Sequence, residues 1–176
     1  MPGFTRTLAS LAIAVSLVMA GTLAASADSN PHGRTLNLPL PDPFTQPMCG
    51  PGLGDITVSV DPNTFKAYVK TFTLQDGTTK IELNGYARQI VQGNGKTLQF
   101  NVSGPGAFFI APDGSFITAV LEGQGFYIGP VDTPQQGLFL YTGHVTLAMI
   151  NTALYGPIFV VSSHTGNVTD VCALLR

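Results

Sequence analysis

The stretch Thr64–Ile90 reads TFKAYVKTFTLQDGTTKIELNGYARQI, and its two halves decide the fold. Gln75-Asp76-Gly77 fits a three-residue hairpin loop with Gly77 in the left-handed conformation, which pairs Leu74 with Thr78. Counting away from that turn sets Lys70 opposite Glu82, Tyr68 opposite Asn84 and Lys66 opposite Tyr86. The alternate positions set Val69 opposite Leu83 and Ala67 opposite Gly85. One face is wet and the other dry, the signature of a half-buried antiparallel hairpin.

Working outward, β-rich runs alternate with Gly, Pro, Asn and Asp turns at regular spacing, and eight strands are predicted. They are residues 55–60, 64–74, 78–90, 96–103, 107–110, 115–128, 138–149 and 157–164. Leu98, Phe100 and Val102 alternate with polar neighbours. From Ala107 onward that alternation fails. Pro112-Asp113-Gly114 predicts a second three-residue loop with Ile110 opposite Phe116 and Phe108 opposite Thr118, leaving both faces apolar. Phe109, Ile117, Ala119 and Leu121 fall on one side, with Phe108, Ile110, Phe116 and Val120 on the other. Strands apolar on both faces require a cover: the proline-rich arm, a second subunit or a filled barrel. Short successive connections give an all-β, single antiparallel meander. Eight strands suffice to close it as an up-and-down β-barrel, with a two-sheet β-sandwich as the alternative.

The chain has 176 residues, of which 10% are charged, 44% hydrophobic, 20 Gly and 13 Pro, with a net charge of −2. A balance this neutral offers no basic footprint for nucleic acid. Arg6, the apolar run Leu8–Leu23 and Ala25-Ser26-Ala27 have the order of a cleaved signal peptide over residues 1–27. Nothing after it is apolar enough to span a bilayer. Residues 28–54 form a proline-rich arm with Pro31, Pro39, Pro41, Pro43, Pro47 and Pro51, unsuited to a central strand. Its Leu36, Leu38, Leu40 and Phe44 are expected to lie on an apolar face. Residues 55–176 form the β domain, whose tail, residues 169–175, is expected to make a helical turn capped by Thr169. Export places the only cysteines, Cys49 and Cys172, in an oxidising compartment, where they are expected to pair. The expected localisation is secreted or extracellular.

Chemistry-bearing constellations are few. Glu122, one of only two glutamates, sits inside an apolar strand, where a carboxylate needs a partner or water. If Ile128 pairs with Leu138, Glu122 falls opposite His144. If Met149 pairs with Pro157, Ser162 also falls opposite His144, with His164 diagonal to it, and Tyr141 lies on the other face. Glu122, His144, Ser162 and His164 are therefore the candidate catalytic residues, as an acid-base group. Against this stands a plain hydrogen bond between strands, and no nucleophile elbow presents Ser162. Phe108, Phe116 and Phe126 are candidates to line an apolar ligand cavity, core packing being the alternative. No metal-ligand spacing and no cofactor motif is present. Gly93-Asn94-Gly95-Lys96 and Ser103-Gly104-Pro105-Gly106 read as hairpin turns, since no helix comes after them to make a phosphate cradle. Asn101-Val102-Ser103 and Asn167-Val168-Thr169 match the glycosylation sequon.

The runs Asn101-Val-Ser-Gly-Pro-Gly106, Pro112-Asp-Gly-Ser115, Leu138-Phe-Leu-Tyr-Thr-Gly143 and His164-Thr-Gly-Asn-Val-Thr-Asp-Val-Cys172 resemble a group of small secreted actinobacterial β-domain proteins of uncharacterised function. The resemblance covers Cys49 to the C-terminus and implies export, one β domain and a Cys49–Cys172 pair. It supplies no catalytic residues. The strand count is also similar to that of allene oxide cyclase and dirigent barrels, without their motifs, which is a likeness of architecture alone. Three functions fit: a binding or interaction module taking a small apolar ligand or a second copy of the chain; a cyclase- or isomerase-like enzyme using Glu122 and His144 in the lumen; or a structural envelope protein.

Overall fold

The computed structural model describes residues 34–129, 135–152 and 156–176; the leader read at residues 1–27 lies outside them. Among the described residues nine strands and one short helix come in order: β1 Arg34–Asn37, β2 Phe44–Gln46, β3 Ile56–Val60, β4 Lys66–Thr73, β5 Thr79–Gly93, β6 Lys96–Ile110, β7 Phe116–Gly129, β8 Gly137–Thr152, β9 Gly156–Asp170 and α1 Val171–Leu175. All ladders are antiparallel, and the main path runs β1-β4-β5-β6-β7-β8-β9. The sheet is an all-β meander curled into a half-barrel. Among the described residues β9 and β1 are its two ends and do not pair, so the curl stops short of closure.

The β4–β5 hairpin has the register read from its turn: Lys70 opposes Glu82, Tyr68 opposes Asn84, and Val69 opposes Leu83. Leu74 and Thr78 close the loop, with the Leu74 N–H donating to the Thr78 carbonyl at 2.8 Å. Asn94 and Gly95 take φ of 49° and 72°, the two left-handed residues of a tight hairpin turn, and Gly93 faces Lys96. Two expectations need correction. Ser103-Gly104-Pro105-Gly106 is no turn: β6 runs unbroken through it against β5, Pro105 facing Asn84. At the next hairpin Ile110 does oppose Phe116, but a bulge beside it shifts the ladder so that Phe108 faces Ala119 and Phe109 faces Thr118.

The curl arises from a row of glycines. Gly85 faces Gly104, Gly123 faces Gly143, and Gly143 faces Gly166. Gly104 and Gly123 meet across the β6–β7 boundary, since a Cβ on either would lie 3.1 Å from the other's Cα. Their φ values of 145° and 93° are closed to ordinary side chains. The row crosses β5 to β9 and lets five long strands bend at one level.

Two cores result. The first gathers Val69, Ile81, Phe108, Ala119, Tyr127, Val145, Leu147 and Val161. The second gathers Met48, Ile56, Val58, Val91, Leu138, Leu140, Val171, Cys172 and Leu175, with Phe126 and Ile128 packed against it. On β7, Tyr127 enters the first core while Phe126 and Ile128 enter the second, so this strand is covered on both faces. The arm supplies part of the cover. Leu38 packs on the first core, and Phe44 and Met48 on the second, whereas Leu40 is exposed. β1 and β2 pair at sheet edges, where flanking prolines cost no ladder bonds. Cys49 and Cys172 form the disulfide, 123 residues apart in sequence. The cap of α1 is Asp170, accepting from the Ala173 N–H at 3.0 Å; Thr169 instead continues β9 opposite Leu140. Lys96 and Asn94, in the β5–β6 turn, donate to the carbonyls of Leu174, Leu175 and Arg176 at the helix end.

Candidate functional site

The half-barrel holds a half-open cavity of about 200 Å³. Its wall is largely apolar: Leu83 and Ala87 of β5, Val102 and Phe108 of β6, Leu121 and Phe126 of β7, and Val145 and Leu147 of β8. Leu38, Pro39 and Pro41 close one side from the arm. Gly85, Gly104, Gly106, Gly123, Gly125 and Gly143 also line it, so part of the wall is bare backbone. The row that bends the sheet therefore also keeps side chains out of the space within the bend.

Tyr127, Tyr141 and Gln89 bring polar groups into this wall. Tyr127 is buried, and its hydroxyl donates to the Phe159 carbonyl at 3.0 Å. Burial, with the neighbouring Tyr141 phenol adding to it, pushes the Tyr127 phenol up to about 12. Burial also raises the Tyr141 phenol, whose ring meets Tyr127 edge-on at 6.3 Å. Gln89 is 9% exposed, and its Oε1 is buried with no hydrogen-bond partner. An orphan carbonyl of this kind costs roughly 1–3 kcal/mol.

The sequence-derived candidates separate. Glu122 faces His144 as expected, and the carboxylate and the ring Nδ1 lie 2.8 Å apart. Their side chains are 53% and 40% exposed. Leu121 and Val145, one position away on each strand, pack into the first core, so alternation turns the Glu122 and His144 side chains to the other face. Glu122 is also one of the residues of the cavity wall, and its carbonyl lies beside Gly104. Ser162 does not join the pair. Met149 faces Phe159, not Pro157, and a bulge between Thr146 and Leu147 shifts the ladder again, placing Thr165 opposite His144. Ser162 Oγ donates to the Thr146 carbonyl at 3.1 Å. His164 sits opposite Val145, its ring 5.3 Å from that of Tyr141, so it belongs to the Tyr141 face. Tyr141 itself is on the face opposite His144, as parity required.

Of the three candidate phenylalanines, Phe108 and Phe126 line the cavity. Phe116 does not; it packs edge-on against Phe159 at 4.8 Å on the first core. Sequence reading missed Gln89, Tyr127 and the glycine row. The row had a signal: the register that sets Glu122 opposite His144 also sets Gly123 opposite Gly143. Among the described residues no group of three or more His, Cys, Asp or Glu is placed to hold a metal ion, and no helix is long and apolar enough to cross a membrane. No protein family, curated protein or solved structure matches the chain.

Proposed function

We propose that this chain is an exported, disulfide-clasped binding module that holds a small apolar or amphipathic molecule in its half-barrel, at or outside the cell surface. The observation that carries the reading is the cavity: a space of about 200 Å³ walled by aliphatic side chains, the phenylalanines Phe65, Phe108 and Phe126, and bare glycine backbone. Apolar pockets with a few placed polar groups are the usual form of a small-molecule site. Export is supported by the leader-like residues 1–27, the sparse charge and a disulfide that persists only where thiols are not kept reduced. The exposed Glu122–His144 pair, turned away from the cavity, favours binding over acid-base chemistry within it.

Gly125 offers a clean test, because it lines the cavity and a Cβ there meets nothing within 4 Å. Gly125→Phe is expected to put a ring into the open space that its Cβ meets. Solvent extraction of the purified protein after incubation with a cell lipid extract, read by mass spectrometry, should recover a bound small molecule from the wild type. The variant should yield little or none. Equal recovery from both proteins, or none from either, would refute the reading.

A further inference from the structure

Gln89 carries the strongest remaining signal, and its role rests on the cavity being a binding site. Its position on β5 puts it on the same face as Leu83 and Ala87, which also wall the cavity, and its ladder partners are Val60 and Phe100. It is nine-tenths buried, with an unpartnered carbonyl oxygen. The Tyr127 hydroxyl of the same wall is already given to the Phe159 carbonyl. We propose that the cavity selects a small neutral alcohol, whose hydroxyl donates to Gln89 Oε1 and whose hydrocarbon part fills the rest of the space.

Size, charge and hydrogen bonding together fix this class. A dry cavity of about 150 Å³ accepts a benzene, so about 200 Å³ holds a single ring with a short substituent or a chain of about eight carbons. Among the described residues the charged members of the wall are Lys66, which is exposed, and Glu122, whose half-exposed carboxylate is held by His144. A carboxylate or ammonium beside Gln89 would therefore be desolvated without a counter-charge. A hydrocarbon leaves the buried amide unsatisfied, whereas a hydroxyl both donates and accepts and so complements an amide.

Benzyl alcohol, toluene and benzoate share one ring and differ only at the substituent, which makes them suitable probes. Each is titrated into the disulfide-intact protein and followed by amide chemical shifts of the wall residues. The quantity that decides is the ratio of benzyl alcohol to toluene affinity, in wild type and in Gln89→Leu, because the ratio of ratios cancels the differing cost of leaving water. The expected result is a fall of about tenfold in that ratio on substitution, the size of one neutral hydrogen bond, with no binding of benzoate. Gln89→Met, which keeps the side-chain length, gives the same reading where Leu perturbs the fold. If both neutral probes bind and the ratio is unchanged in the variants, or if benzoate binds as well as they do, the alcohol assignment is overturned while the cavity stands as a site. If neither neutral probe binds, the binding reading falls with it.

Discussion

Gly123→Ala tests whether the glycine row is what bends the sheet. Two costs combine at this position. The φ of 93° is one an alanine resists by about 1–2 kcal/mol. The new Cβ would also overlap the Ser103 carbonyl oxygen and stand 3.1 Å from the Gly104 Cα, forcing β6 and β7 apart where they cross. Overpacking against backbone adds about 1–3 kcal/mol. The expected destabilisation is therefore about 2–5 kcal/mol, a fall in Tm of roughly 5–15 °C for a chain of this length. Gly125→Ala is the matched control, two residues along the same strand, with a negative-φ backbone and open space around its Cβ. It should lie within about 1 kcal/mol of wild type. Thermal unfolding followed by far-ultraviolet circular dichroism measures both. Gly143→Ala, whose Cβ would meet the Thr165 carbonyl across β9, repeats the experiment one boundary further on. If Gly123→Ala melts together with Gly125→Ala, the row is not what bends the sheet.

Two further perturbations probe the clasp and the buried phenol. Replacing Cys49 and Cys172 together with alanine frees a loop spanning 123 residues, and chain entropy puts the loss at about 5 kcal/mol. Urea unfolding should show a markedly lower midpoint, and an unchanged midpoint would mean that the second core holds α1 without the bond. Tyr127, pushed up to about 12 by burial, is raised in the folded state, so the stability its neutral form contributes is complete below pH 10 and is lost as pH rises toward 12. Ultraviolet titration of phenolate absorbance should show a last-ionising tyrosine, beyond the Tyr141 phenol that burial also raises, and it should disappear in Tyr127→Phe. Ionisation of all tyrosines near pH 10 would contradict its burial.

How far the sequence carries depends on what fixes each register. The β4–β5 ladder was legible because Gln75-Asp76-Gly77 permits one loop geometry, and counting from Leu74 and Thr78 then places every pair. The Glu122–His144 pairing was legible on the same terms, from Ile128 opposite Leu138. What failed is the pairing beyond a bulge or a misjudged turn. The extra residue beside Ile110 set Phe108 opposite Ala119, while Ser162 left His144 because Met149 pairs with Phe159 and not Pro157, the bulge at Thr146 shifting the ladder by one residue more. A bulge is one residue of backbone that no side-chain pattern announces, yet it reverses every face beyond it. Gln89 was legible by parity, since it shares the dry face of Leu83 and Gly85; what the hairpin alone does not show is a cavity that leaves its carbonyl oxygen without a partner.

The two-sided apolar strands had required a cover, and its identity explains why the clasp lies where it does. Phe126, Ile128, Leu138 and Leu140 present a second apolar face outside the first core, and Phe44, Met48, Val171, Cys172 and Leu175 close over it. These covering residues come from the two ends of the domain, a three-residue edge strand and a five-residue helix, neither of which folds alone. Cys49 and Cys172 join the covering segments to each other, and the Leu138 N–H donates to the Cys172 sulfur at 3.3 Å, tying the cover to β8 beneath it. The disulfide therefore does more than shorten the unfolded chain. It holds together two short pieces that pack against Phe126, Ile128 and Leu138, which themselves line the cavity, so the clasp supports the cavity wall.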